Sequence, residues 1–334
     1  MKRHRTLAFF VPNAGCPHRC SFCDQCEISG TQRPPTPHEV TQQCDTLLPP
    51  PGASTMEIAF FGGSFTALAP AYRGALLAAA APFVCAKRAV GIRISTRPDA
   101  ISPAILQELK EAGVCAVELG AQSMQDSVLK QNLRGHTAAA VRTAAAAVQK
   151  AGFSLGLQMM VGLPGERDAV AAAFANAKQL CALNPETLRI YPVLVLRGTV
   201  LARWVAQGRY TPLTLEQAVE ATAPVIDLAE GQGIRVIRVG LQDDESLRAA
   251  LVAGPYHPAF RQLCEARLYR QAIAAALQGS APGPVTVAVA PGQRSTAAGQ
   301  KNANLAWFAA KGYSLAVCEA PGLTGRQVVL QAGT

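Results

Sequence analysis

Cys16, Cys20 and Cys23 stand as C-x3-C-x2-C, and a fourth thiol, Cys26, follows three residues later. Thiolates spaced this closely suit soft metals and iron–sulfur clusters. Three of them can hold three irons of a 4Fe-4S cluster and leave the fourth iron open to a small-molecule ligand. A structural zinc site instead draws its ligands from two separated knuckles. No second knuckle is present, no histidine lies at zinc-finger spacing, and His18 falls inside the ligand loop. Cys26 is either a neighbour that ligates nothing or a fourth ligand that would close the open position. The other six cysteines are scattered singly through apolar stretches, as small buried hydrophobes would be.

The chain has 334 residues, 49% of them hydrophobic, with 31 Lys and Arg against 22 Asp and Glu for a net charge of +9. That balance permits an anionic partner such as nucleic acid without demanding one. The one dense basic tract is MKRHR at residues 1–5, and the apolar LAFFVP that follows runs at once into Asn13 and the cysteines, unlike a secretory signal. No apolar run reaches the roughly 18 residues of a membrane helix. A cytoplasmic protein with reduced thiols and no membrane partner is therefore expected.

What must position the cysteines is an alternation of strands and helices. Apolar runs at 7–12, 56–61, 90–95, 114–120, 153–161, 187–195 and 234–240 read as strands. Helical patterns near 36–48, 70–81, 102–112, 137–150, 168–182 and 214–232 fall between them. Near-continuous apolar strands separated by helices imply a parallel sheet covered by helices. Six or seven such units in about 240 residues suit an α/β fold of the partial TIM-like (β/α)6 barrel kind, with an open doubly wound sheet as the alternative. Residues 1–240 form that core and 241–334 a small C-terminal α/β extension, with two strands flanking a helix near 302–312. In a barrel, function sits at the C-terminal strand ends. Here those ends read PNAGC, FFGGSFT, ISTRPD, ELGAQS, LQMMVGLPG, IYPVLVLRGT and RVGLQ, punctuated by Gly, Ser, Gln, Arg and Pro.

The C-x3-C-x2-C after strand one, FFGGSFT at 60–66, ELGAQS at 118–123, RGHT at 134–137 and GLPG at 162–165 together resemble the radical S-adenosylmethionine (radical SAM) superfamily. With STRPD at 95–99 they are most similar to the Elongator catalytic-subunit branch, and also similar to oxygen-independent coproporphyrinogen oxidases. The resemblance covers residues 6–240, and more weakly the C-terminal extension. It implies a 4Fe-4S cluster on Cys16, Cys20 and Cys23, and S-adenosylmethionine chelating the open iron. One-electron reduction, from a donor such as ferredoxin or flavodoxin, then gives a 5′-deoxyadenosyl radical that abstracts hydrogen from substrate.

The resemblance also distributes the cofactor over the strand ends. Phe10 takes the aromatic position flanking the adenine, while Gly62, Gly63 and Ser64 meet the methionine end. Gln122 and Arg134 match residues that bind ribose or carboxylate. Ser95 stands where the coproporphyrinogen oxidases carry Glu and Gln158 where they carry Asp, so both are ribose contacts by hydrogen bond only. Val193 offers backbone to the adenine. Two departures from the Elongator branch stand out: its first two cluster cysteines are farther apart, and 334 residues leave no room for its acetyltransferase domain. The implied substrate class is tRNA. A tetrapyrrole oxidase is the alternative enzyme, and a non-catalytic iron–sulfur or zinc RNA-binding module is the alternative of another class.

Other residues carry weaker signals. His136 fits a rim proton carrier or a turn hydrogen bond. Arg189 and Tyr191 alternate on one strand and so face the lumen, and Glu118, if buried there, needs a partner such as Arg97. PGQRSTAAGQKN at 291–302 fits a solvated loop or a phosphate grip.

Overall fold

The apolar runs do form strands, and each joins its sequence neighbour in one parallel sheet. The computed structural model describes residues 5–52 and 55–331, so MKRHR lies, but for Arg5, outside the described residues. The strands are β1 (Arg5–Val11), β2 (Met56–Gly62), β3 (Ile92–Thr96), β4 (Val114–Gln122), β5 (Ser154–Val161) and β6 (Thr187–Pro192). The short β7 (Val195–Leu196) then leaves the sheet, and β8 (Arg235–Val239) returns to pair with β6. All seven strands of the sheet β1-β2-β3-β4-β5-β6-β8 are parallel, one more than a six-unit barrel, and the sheet curls into a half-barrel. The expected strand over 187–195 breaks at Pro192, which has no N–H for the ladder. The chain turns there, and β7 pairs antiparallel with β9 (Leu251–Ala253).

Alternation decides the two faces. Phe9, Ile58, Phe60, Ile92, Ile94, Val117, Leu119, Leu155, Leu157 and Ile190 point to the helices and are buried in one continuous core. Phe10, Glu57, Phe61, Arg93, Ser95, Glu118, Gln158, Arg189 and Tyr191 point the other way, into the concave lumen. Side-chain oxygens of Thr36, Ser102, Thr137, Asp168 and Thr214 accept a backbone N–H at the first turn of the helix each one opens. Such caps are worth about 1 kcal/mol apiece.

Beyond β8, the helix Phe260–Ala276 packs on Leu215–Gly231 and carries a second sheet. Its strands are β10 (Pro284–Val289), β11 (Ser314–Glu319) and β12 (Val328–Gln331), in the order β11-β10-β12. The third strand, β12, is antiparallel and was not expected. Its half-exposed alternation is short and follows a turn with few apolar residues. Segment 291–302 is not a solvated loop: it forms the helix Arg294–Ala298 and a 3-10 turn, and fully buries Ala297.

Candidate active site

The cysteine loop is shaped by close backbone packing. After β1 the chain takes left-handed conformations at Asn13 (φ 54°) and Gly15 (φ 70°), turning across the sheet edge. The Gly63 N–H donates to the Val11 carbonyl at 2.8 Å, and the Ser64 N–H to Ala14 at 3.0 Å. A Cβ on Gly63 would stand 2.0 Å from the Ala14 carbonyl oxygen, and one on Gly15 2.3 Å from that of Ser64. The close approach these glycines allow is therefore to the cysteine loop itself. Gly63→Ala is expected to cost roughly 3 kcal/mol, because a clash with backbone has no rotamer escape. Urea unfolding measures it, and an unchanged midpoint would mean that the loop shifts freely.

All ten cysteines are free thiols. Cys20 is buried, and Cys16 and Cys23 are half-buried. Burial and then the charges of Cys20 and Cys16 push the Cys23 thiol up to about 12, while Arg134 opposes the shift. Burial and Cys20 likewise raise Cys16, against Arg97 and Arg134. Cys26 lies on the short helix Gln25–Ser29, where its sulfur accepts from the Asn13 amide at 3.6 Å. Cys20 and Phe22 anchor the loop in an apolar cluster with Val128, Met160, Leu163 and Val193.

Around this loop the strand ends gather most of the expected residues. Arg134 (7% exposed) donates from Nη1 to the Cys20 sulfur at 3.1 Å and from Nη2 to the Gly120 carbonyl at 2.6 Å. Gln122 (φ 66°) sits at a bulge in β4, and its Oε1 accepts from Gln158 Nε2 at 3.2 Å. Ser95 and Phe10 face the lumen, with the Phe10 ring 6.3 Å from Phe61. Ser64 is fully buried, and its hydroxyl is taken up by Thr96 at 2.9 Å and by the Arg97 N–H at 3.3 Å. The Val193 N–H is spent on the Val161 carbonyl at 3.0 Å. The Ser64 hydroxyl and the Val193 N–H are thus already engaged within the protein.

Below the rim, a buried ion-pair chain crosses four strands. Arg93 holds Glu57 with two hydrogen bonds, at 2.9 and 3.1 Å, and reaches Glu118 at 3.3 Å. Arg189 holds Glu118 at 2.7 and 3.2 Å and lies 4.9 Å over the Phe61 ring. Glu118 therefore has partners on β3 and β6, not Arg97. Arg97 pairs with Asp99 at 2.9 Å.

These features match known proteins. The Radical SAM superfamily pattern fits residues 10–176, half of the chain, and the Radical_SAM C-terminal domain pattern fits residues 185–270. The chain belongs to the radical SAM superfamily. It is 36% identical over 129 residues to a tRNA uridine(34) acetyltransferase of Dehalococcoides mccartyi, covering 37% of this chain and 28% of that one. It is 32% identical over 185 residues to human Elongator complex protein 3, covering 54% of this chain and 32% of that one. The matches thus span about a third of those relatives' own lengths. Archaeal Methanocaldococcus infernus Elp3 shares the fold, with a TM-score of 0.61 at 20% identity over 80% of this chain and 63% of that one. So does Streptococcus suis SuiB bound to S-adenosylmethionine, with a TM-score of 0.51 at 10% identity over 74% of this chain and 52% of that one.

Radical SAM enzymes use a 4Fe-4S cluster and S-adenosylmethionine, and the donor set here fits the cluster. Three free thiols within eight residues of one loop are the soft donors that an iron–sulfur cluster takes. Arg97 and Arg134 supply positive charge beside the three thiols, and each keeps one buried guanidinium nitrogen without a partner, Nη1 of Arg97 and Nε of Arg134.

One residue of the radical SAM rim had no signal beyond its spacing from GLPG. Glu166 turns back to accept the N–H groups of Gly162 and Leu163, both at 3.0 Å, and Tyr210 donates to the Gly162 carbonyl at 2.7 Å. Burial raises the Glu166 carboxyl to about 7. His136 has the opposite sense. Its Nε2 meets the Ala121 carbonyl at 3.2 Å, Nδ1 is buried without a partner, and burial plus the Arg134 charge lower it to about 4. The ring is neutral at pH 7, which fits the turn hydrogen bond rather than a proton carrier. A depressed folded-state value gives stability that is fully present above the unfolded value near 6.5 and is lost as pH falls towards 4. Between pH 7 and pH 5 the wild type is expected to lose about 2 kcal/mol more than His136→Asn. Denaturant titrations at the two pH values check this, and parallel losses would refute it.

Proposed function

We propose that this chain is a radical SAM enzyme acting on tRNA, with the cluster on Cys16, Cys20 and Cys23 and S-adenosylmethionine laid along the lumen rim. When bound, the reduced cluster supplies the electron that cleaves S-adenosylmethionine to methionine and a 5′-deoxyadenosyl radical, which abstracts hydrogen from substrate. The protein's own residues orient and enclose. Phe10 and Phe61 wall the lumen beside the cysteine loop, Gln122 and Gln158 present paired amides, and the apolar cluster around Cys20 excludes water. The observation that carries the reading is the contact of the three-cysteine loop with Arg134, whose Nη1 donates to the Cys20 sulfur, beside Gln122 and Gln158 at adjoining strand ends. For tRNA the support is the name of the Dehalococcoides mccartyi relative, a tRNA uridine(34) acetyltransferase, and the net charge of +9.

An acidic one-electron carrier such as ferredoxin or flavodoxin completes the reaction. The barrel unit ends near residue 240, with the rest an extension. Ten free thiols favour the cytosol, and among the described residues no helix is long and apolar enough to cross a membrane. The test is 5′-deoxyadenosine release by anaerobically reconstituted protein with dithionite, with and without unmodified tRNA. Release that rises with tRNA supports the reading. Release indifferent to tRNA moves the substrate to small molecules, tetrapyrroles first, and no release from a loaded cluster refutes catalysis.

A further inference from the structure

Arg134 is held for a purpose that its motif does not require. Left-handed Leu133 (φ 58°) and Gly135 (φ 71°) bracket it, so the turn directs its side chain inward. The turn is tied to the cysteine loop on both sides of Cys20. On one side Asn132 accepts the Ser21 N–H at 3.1 Å and the Ser21 hydroxyl at 2.8 Å. On the other, a Cβ on Gly135 would lie 2.3 Å from His18 Cδ2, so the histidine packs directly on this glycine. The Arg134 carbonyl accepts from Arg97 Nη2, and Arg97 is itself fixed by two bonds to Asp99, at 3.0 and 2.9 Å. With Nη2 spent on Gly120, Nη1 is left aimed at the Cys20 sulfur, 3.1 Å away.

We propose that Arg134 is a positioning residue for the cluster: its Nη1–H hydrogen bond orients the Cys20 thiolate and raises the cluster's midpoint potential. The proposal rests on the reading of Cys16, Cys20 and Cys23 as cluster ligands. Reduction adds a negative charge to the cluster. A donor on a ligand sulfur and a buried guanidinium stabilise that added charge more than they stabilise the oxidised form. The Arg97–Asp99 pair keeps the donor in line. A guanidinium that served S-adenosylmethionine alone would need no contact with sulfur.

The experiment is an EPR-monitored redox titration of anaerobically reconstituted wild type, Arg134→Lys and Arg134→Gln, in the absence of S-adenosylmethionine, with iron and sulfide measured on each. The expected result is an unchanged iron-to-protein ratio and a midpoint shifted to more negative potential in both variants. The shift is larger for Gln, which loses charge and donor geometry together. If the Gln variant fails to fold, the Lys variant carries the test, since it keeps the charge and loses only the fork. A wild-type midpoint in fully loaded variants overturns the proposal while leaving the cluster reading intact. Wild-type protein that takes up no iron and sulfide overturns both.

Discussion

Protein carrying Cys16→Ala, Cys20→Ala and Cys23→Ala together is expected to purify folded, to hold no iron or sulfide after reconstitution, and to release no 5′-deoxyadenosine. The fold should survive because the loop does not depend on its thiols. Phe22 is buried with Val128, Met160 and Leu163. The Ser21 carbonyl accepts the Leu201 N–H at 2.8 Å, and Gly63 bonds Val11 at 2.8 Å. Only Cys20 is buried outright, and trimming one sulfur there should cost about 1 kcal/mol. Function should vanish because Cys26, the one thiol left near the loop, cannot by itself supply the three thiolates that the cluster needs. Cys26→Ala is the matched control. Its sulfur accepts from the Asn13 amide, and that variant should load iron as the wild type does. Iron lost from Cys26→Ala would make Cys26 a ligand. Release persisting in the triple variant would remove the three cysteines from the chemistry.

The contrast between legible and hidden features follows from what sequence can encode locally. The sheet was legible because buried parallel strands are apolar along most of their length and the helices between them carry caps such as Thr137 and Thr214. The cysteine site was legible because its three thiols lie within eight residues, and so was the family, whose signatures recur at successive strand ends. What stayed hidden depends on register across strands. Glu118 meets Arg93 and Arg189 rather than Arg97 because the lumen face pairs Ser95 with Glu118 and Gln158 with Arg189, a matter of sheet register and bulges. Arg97 lies past the end of β3, where the chain turns towards Asp99 instead. The third extension strand and the returning Glu166 carboxylate are likewise three-dimensional facts with little local signature.

The register-dependent network gives the second large effect. Glu118→Ala is expected to destabilise the protein by about 3–5 kcal/mol, the cost of leaving buried charge uncompensated. Glu118 is 4% exposed and Arg93 6%, while the Arg189 side chain keeps 20% of its surface and a contact with Tyr191, which places the expected loss at the lower end of that range. Burial works against the charge on both arginines, yet their pairing with Glu118 and Glu57 keeps both above the usual guanidinium value. Removing Glu118 strips Arg189 of two hydrogen bonds and Arg93 of one, while Glu57 still holds Arg93 by two. The orphaned charge is therefore mainly that of Arg189, over the Phe61 ring. A second substitution separates unpaired charge from lost packing. Glu118→Met with Arg189→Met removes both signs, refills the volume and should recover much of the loss, because an apolar pair in place of a buried ion pair is often near neutral. Thermal and urea unfolding of the single and double variants decide it. If the double variant is as unstable as the single one, the network's value lies in its shape, holding β4 to β6 beneath the rim, and not in its charge balance.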